Sequence, residues 1–227
     1  MPAPISIVIP TLNAEDELAA SLEALMEGLA SGLIRELVIS DGGSTDRTLD
    51  IAEEAGARII TGTASRGGQL RRGCADVRGE WLLVLHADTR LSPGWSEAVS
   101  AHLEQSPGRA AWFHLSFRQG GGAGRLVAAW ANLRAGLFGL PYGDQGLLVP
   151  RALYQSVGGY PDQRLMEDVA LVRKLRPMVA LQATASTSPI RYQREGWLRR
   201  GARNLLTLTR YFLGADPDRL AGFYTRR

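Results

Sequence analysis

The sequence predicts an α/β fold, a mostly parallel sheet flanked by helices. Two observations carry this. Strand and helix signals alternate four times within the first ninety residues, the pattern of parallel strands joined by right-handed helical crossovers. The fourth strand is a continuous apolar run, Trp81 to Leu85, that stops abruptly at His86-Ala87-Asp88. Such a run reads as a buried strand, and in open α/β sheets ligands gather where such strands end.

The elements follow in order. Ser6–Pro10 is a strand. Asn13 is placed to cap a helix, with Asp16 in the reciprocal box position. Leu18, Leu22, Leu25, Met26 and Leu29 then keep helical spacing, and Gly32 ends that helix. Glu36–Ser40 is the second strand, followed by a Gly/Ser/Thr turn and a helix from Asp46 to Ala55. Arg58–Thr61 is a short third strand, Gln69–Val77 a short helix and Glu80–Leu85 the fourth strand. Ser92 is expected to cap a helix with Pro93 in its first turn, running to Gln105. Ala110–Arg118 alternates like a strand.

Gln119-Gly120-Gly121-Gly122-Ala123-Gly124 then reads as a mobile loop. It lacks the Lys-Ser/Thr that completes a phosphate loop. An apolar helix over Leu126–Phe138, a strand over Gly146–Val149, helices over 151–157 and 167–176, and a strand over Val179–Ala183 follow. A last helix runs from Gly196 to Leu213.

With 227 residues the chain suits one domain with one good core. Its single cysteine, Cys74, excludes an intramolecular disulfide and fits a reducing compartment. Cys74 shares an apolar stripe with Leu70 and Val77, which predicts core packing. The N-terminus enters a strand almost at once, without the features of a signal peptide. No apolar run approaches the ~18–20 residues that span a bilayer. A cytoplasmic protein is expected. The formal net charge is +3 and the pI about 9.3. The basic excess lies late in the chain, at Arg191, Arg194, Arg199, Arg200, Arg203, Arg210, Arg226 and Arg227, and suits an anionic partner.

Three loops at strand ends carry chemistry. Pro10-Thr11-Leu12-Asn13, with Glu15, follows the first strand. Asp41-Gly42-Gly43-Ser44-Thr45-Asp46 follows the second, and its glycines let the backbone approach a ligand. Ser44 or Asp46 can equally serve as a helix cap, which leaves Asp41 unexplained. His86 and Asp88, two residues apart, project to one side past the fourth strand. Asp88 suits a divalent cation and a phosphate ester, or a simple turn cap.

IVIPTLNAEDEL, VISDGGSTDRTLDIA and LLVLHADT, in that order, resemble the N-terminal half of family 2 glycosyltransferases. Gly143-Asp144-Gln145-Gly146 and Met166-Glu167-Asp168 extend the resemblance over most of the chain. The match is to a small bacterial subgroup of single-domain enzymes. The resemblance implies a GT-A type fold with a nucleotide-binding, Rossmann-like N-terminal half. Residues 1–90 would hold the nucleotide sugar and residues 91–227 the acceptor. The implied activity is inverting transfer from a nucleotide-diphosphate sugar, a UDP-sugar being favoured.

The resemblance also implies roles. Thr11 and Glu15, beside Pro10, would line the nucleotide site, and Asp41 would bond the base. Arg66 would face the diphosphate. Asp88, matching the last Asp of the family's DxD motif, would bind Mg²⁺ or Mn²⁺. His86 stands where the family usually has Asp, which removes a negative charge near the donor. Asp168 would be the base, since it matches the Asp of a Glu-Asp pair at a helix start. A helix N-terminus favours its carboxylate form. Glu167 would contact the acceptor or brace the site; helix-dipole complementation alone also accounts for both acids. Asp144 and Gln145 would touch sugar or acceptor, though turn chemistry also explains them. Arg191 or Arg194 would reach the leaving diphosphate. The family's QxxRW motif is not present; Gln193-Arg194-Glu195-Gly196-Trp197 is a loose echo.

On the last helix, Arg199, Arg203 and Arg210 share one arc, and Leu198, Leu205, Leu208 and Phe212 the opposite one. Either the apolar arc faces the core, or the helix lies on an anionic membrane and guides a lipid-linked acceptor. Two other functions stay open: a nucleotidyltransferase, disfavoured because PTLNAED lacks a glycine-rich basic phosphate loop, and a non-catalytic nucleotide- or membrane-binding protein with a decayed metal site. Nucleic acid is not expected, because the basic residues lack interleaved aromatics.

Overall fold

The computed structural model describes residues 3–225, with side chains described to residue 222. Arg226 and Arg227 lie outside the described residues. The strands are β1 (Ile5–Thr11), β2 (Ile34–Asp41), β3 (Arg58–Thr61), β4 (Trp81–Val84), β5 (Arg90–Leu91), β6 (Ala111–Phe117), β7 (Leu147–Pro150) and β8 (Val179–Thr187). They form one mixed sheet in the order β3-β2-β1-β4-β7-β6-β8-β5. β3, β2, β1 and β4 run parallel, β7 is antiparallel to β4 and β6, and β8 is parallel to β6. The expected parallel half is therefore present, and the reversal begins at β7.

The sheet is buried on both faces, as the near-continuous apolar runs of its central strands predict. Ile5, Ile7, Ile9, Leu83 and Leu85 pack on one side with Leu18, Leu25, Trp95 and Val99. Val8, Val38, Leu82 and Val84 pack on the other with Leu70, Cys74, Val77 and Leu171. Cys74 is core, as expected, and burial pushes its thiol up to about 12.

Several elements differ from expectation, each for a local reason. The first helix is two: α1 (Glu15–Glu23) and α2 (Met26–Ala30). The indole of Trp95 donates to the Ala24 carbonyl at 3.0 Å, taking the acceptor that a continuous helix would offer Gly28. Asn13 does not cap α1. Its φ is +49°, Ala14 holds the cap position, and Asn13 Oδ1 accepts from Thr45 N at 2.9 Å. α3 is Thr48–Glu54. α4 starts three residues early, at Arg66–Gly73, because Ser65 caps it by accepting from Gly68 N.

Ser92 does not cap α5 (Trp95–Gln105). Its hydroxyl accepts from Thr184 N at 3.0 Å, and Gly94 holds the cap position. The glycine segment is not a loop, since α6 (Gly121–Phe138) begins inside it. Gly120 and Gly124 lie against the Trp197 ring, where an added Cβ at Gly124 would come within 3.0 Å. Those glycines are needed for packing.

The second half adds α7 (Arg151–Ser156), α8 (Glu167–Val172), α9 (Ile190–Glu195), α10 (Trp197–Phe212) and α11 (Pro217–Thr225). β5, α9 and α11 have no counterpart in the sequence reading. The largest departure is α10: Arg200 is buried, whereas Leu198, Leu205 and Phe212 are exposed. A core-facing leucine arc is not what forms; of that arc only Leu208 is buried. Among the described residues, no helix is long and apolar enough to cross a membrane.

Candidate active site

β1 leads to β2 on one side of the sheet, while β4 lies on its other side. Their carboxyl ends therefore frame the crevice where doubly wound sheets bind ligands. A cleft of about 920 Å³ opens there, lined by Pro10, Thr11, Gln69, Asp88 and Arg194 among others. A second cavity of about 150 Å³ adjoins it, lined by Tyr142, Asp144, Glu167, Asp168 and Thr187 among others. The two share Arg66, His86, Asp88, Ser188 and Arg191.

Arg66 is the hub. It sits in the first turn of α4, whose close approach to the loop before α8 depends on Gly67; a Cβ there would meet the Pro161 carbonyl at 2.4 Å. Arg66 Nε pairs with Glu167 Oε1 at 2.9 Å, and its Nη2 contacts the imidazole of His86. Burial first, then the Arg66 and Arg191 charges, push His86 well below its ordinary pKa. It is thus a neutral ring that accepts from Arg66. A carboxylate at position 86 would compete with Glu167 for the same guanidinium, and the neutral imidazole does not.

Glu167 is almost fully buried. Its carboxyl is pushed up to about 7, by burial foremost and then by Asp168, with Arg66 acting against both. Asp144 is pushed up to about 6, chiefly by burial and also by Asp168 and Asp88, against Arg134 and Arg66. Its Oδ1 is a buried atom without a hydrogen-bond partner. Asp168 is half-buried. Its Oδ2 accepts from Gly143 N at 2.8 Å and its Oδ1 from Val169 N at 2.7 Å. A side chain at Gly143 would crowd the site, because a Cβ would lie 2.4 Å from His86 Nε2.

Asp88 opens on both cavities. Thr187 Oγ1 donates to its Oδ2 at 3.1 Å, and Arg118 fixes its turn by donating to the Asp88 carbonyl at 2.9 Å. Free lone pairs remain on the carboxylate, so the donor set fits one divalent cation completed by phosphate oxygens and water. Among the described residues no group of three or more His, Cys, Asp or Glu forms a cage.

Other expected site residues lie elsewhere. Asp41 is fully buried. It accepts from Thr11 Oγ1 at 2.9 Å, from the backbone N–H groups of Gly43 and Ser44 at 2.7 Å each, and from Ser44 Oγ at 2.5 Å. Burial opposes its ionisation, yet these bonds outweigh it and hold the carboxyl below the usual range. Asp41 thus shapes the loop from within and does not line the cleft. Glu15 is turned aside too: it accepts from Arg47 N at 2.9 Å.

Gln145 is buried beneath the site. Its amide oxygen accepts from Arg134 and Tyr142 N, and its nitrogen donates to Asn132. It braces the turn that presents Asp144. Arg191 and Arg194 come from α9; Arg191 faces both cavities and Arg194 only the larger.

The sequence reading missed Glu17, Gln69, Tyr142, Thr187 and Asn204 as lining residues. Gln69 donates to the carbonyls of Thr11 and Ser40. The one signal for it was a lone amide beside Leu70 in an otherwise glycine- and arginine-rich helix.

The architecture has known counterparts. It superposes on glucosyl-3-phosphoglycerate synthase from Mycobacterium tuberculosis, solved with Mn²⁺, UDP and glucosyl-3-phosphoglycerate. The TM-score is 0.57 at 22% identity, over 90% of this chain and 79% of that one. It also superposes on S. aureus TarS 1-349, with TM-score 0.63 at 15% identity, over 97% of this chain and 70% of that one. The fold is of the GT-A glycosyltransferase type.

Residues 6–135 match the model of glycosyl transferase family 2, and the chain belongs to that family. A PGL/p-HBAD biosynthesis glycosyltransferase of Mycobacterium bovis is 41% identical over 99 residues, covering 40% of this chain and 38% of that protein. Glucosyl-3-phosphoglycerate synthase of Mycolicibacterium paratuberculosis is 32% identical over 93 residues, covering 37% of this chain and 28% of that protein. The matched segment thus spans less than two fifths of either relative's length.

Proposed function

We propose that the protein is an inverting glycosyltransferase that moves one sugar from a nucleotide-diphosphate sugar to a hydroxyl acceptor, with Asp168 as base. The observation that carries this reading is the junction of the two cavities. Asp88, Arg66 and Arg191 stand at the shared mouth, and Asp168 opens on the smaller cavity beside them. In this reading residues 1–90 bind the donor in the larger cleft, and residues 91–227 hold the acceptor.

Asp88 would hold Mg²⁺ or Mn²⁺ against the donor's diphosphate, and the ion would neutralise negative charge there. The likeness to a synthase solved with Mn²⁺ and UDP favours a UDP-sugar donor. Asp168 takes the acceptor's proton as the acceptor oxygen attacks the anomeric carbon and the bond to the diphosphate breaks. The Gly143 N–H orients that carboxylate. Arg66 and Arg191 supply fixed positive charge where the leaving diphosphate gains negative charge. Glu167, paired to Arg66 and buried, is a positioning residue. Asp144 borders the acceptor side.

Calorimetric titration of UDP, GDP and UDP-glucose, with and without Mn²⁺, tests the reading. Metal-dependent binding of one nucleotide is expected. With Asp168→Asn, that binding persists while turnover falls by about 10²- to 10⁴-fold, the span of general-base catalysis. Absence of any nucleotide binding by folded protein refutes the reading.

A further inference from the structure

α10 is folded inside out. Along one edge Arg200, Asn204 and Thr207 face inward, and the first two line the smaller cavity. The opposite edge carries Leu198, Ala202, Leu205 and Phe212, at spacings of four, three and seven, all exposed to solvent. In water an amphipathic helix normally turns its apolar stripe to the core, so this one is satisfied only if something apolar covers it.

α6 repeats the arrangement. Leu126, Trp130, Leu133 and Leu137 fall at spacings of four, three and four and are all exposed. Leu126 and Leu137 are 68% and 69% exposed, and Leu198 84%. The two helices are neighbours. Trp130 of one and Leu205 of the other line a narrow groove between them, which ends at Tyr142, Asp144 and Asn204, residues of the smaller cavity.

We propose that the outward faces of α6 and α10 dock together on an anionic lipid bilayer. Charge selects this occupant. Neither helix contains an acidic residue, and Arg125, Arg199 and Arg210 lie exposed on the two helices that carry the stripes. Arginines flanking a Leu/Trp/Phe face are the composition of a helix lying in the headgroup region. Each such cation near a negative surface adds attraction, and Trp130 is of the type that settles at that depth.

Trp130 and Leu205, one from each stripe, line the same groove, so the two stripes join into an apolar patch of a kind that a free protein in water rarely presents. Docking would set the mouth of the groove at the bilayer, so a membrane-borne acceptor with an apolar chain reaches Asp144 without crossing water. This last consequence rests on the glycosyl-transfer reading; the docking does not.

The test is co-sedimentation of the whole protein with vesicles of phosphatidylcholine alone and of a 3:1 mixture of phosphatidylcholine and phosphatidylglycerol. Binding to the mixed vesicles is expected, at least about tenfold tighter than to the neutral ones and weakened by salt. Leu137→Glu/Leu198→Glu should lose it by about tenfold or more, with Mn²⁺-dependent UDP titration unchanged as the control for folding and donor site. Arg199→Gln/Arg210→Gln should lose mainly the preference for the anionic mixture. No binding to either vesicle overturns the proposal. So does light scattering that shows a dimer abolished by Leu137→Glu/Leu198→Glu, because a second copy would then be what covers the face. Failure of UDP to bind, with vesicle binding intact, would sink the transfer reading alone.

Discussion

Arg66 Nε lies 2.9 Å from Glu167 Oε1, and this ion pair joins the first turns of two helices a hundred residues apart. It sets both groups beside Asp168 and brings a guanidinium to the wall between the two cavities. Glu167 is buried and Arg66 only partly so, which makes the pair asymmetric.

Removing the arginine leaves a buried carboxyl without its cation. Arg66→Met should lower stability by about 1–3 kcal/mol, the cost of an unsatisfied buried acceptor, and drive the Glu167 pKa further up. Thermal melting reads the first effect. Nucleotide titration should show a fall in affinity as well, through lost charge at the cleft mouth. Unchanged melting and affinity would show that the pair does neither.

Two raised carboxyls make stability depend on pH. Glu167 rises from 4.5 to about 7 and Asp144 from 3.8 to about 6 on folding. Between the unfolded and folded values the native state binds more protons than the unfolded chain, so stability falls as pH rises through that window. The contribution is full below about pH 3, and the loss is complete above about pH 8. Urea midpoints at pH 5 and pH 8 should therefore differ less in Glu167→Gln than in the parent.

Asp88 has few internal ties, so its removal should be felt by ligand and not by fold. Asp88→Asn should melt within about 0.5 kcal/mol of the parent, and lose about 10- to 100-fold in UDP affinity measured with Mn²⁺, or 1.4–2.8 kcal/mol. Mn²⁺ alone should bind weakly to the parent, because a single carboxylate supplies too few ligands without phosphate. Tight Mn²⁺ binding without nucleotide would point to another site.

Gly143 couples His86 to Asp168. A methyl group there would collide with the imidazole that Arg66 pins and would pull the Gly143 N–H off Asp168. Gly143→Ala should cost about 1–3 kcal/mol as an overpacked site, and lower kcat more than it raises KM for the donor. A drop confined to KM would place the effect on donor binding instead.

Much of the fold was legible because short continuous apolar runs separated by helix signals leave few alternatives. Ile5, Ile7 and Ile9 against Val8 announce a strand buried on both sides, and β3 came out with the bounds its pattern set. The strand-end loops were legible for the same reason. Which side chains within them turn to the cleft was not. Asp41 and Glu15 look as available as Asp88 in sequence, yet Ser44 holds Asp41 inside the loop while the exposed Glu15 is tied to Arg47 N. Gln145 is consumed by Asn132 and Arg134, residues of a helix whose start looked like a glycine linker.

The sequence by itself determined the parallel half of the sheet and the acidic residues waiting at its edge, since alternating strand and helix signals leave few alternatives to parallel strands. Tertiary structure alone decided the direction of α10. Its sequence marks two faces, but periodicity does not say which face meets the core. Tyr192 and Trp197 stack at 4.9 Å and Phe117 packs edge-on to both, while Glu195 pairs with Arg200 and Arg203. Those contacts hold the polar edge inward over the site, and Leu198 and Leu205 are left outside.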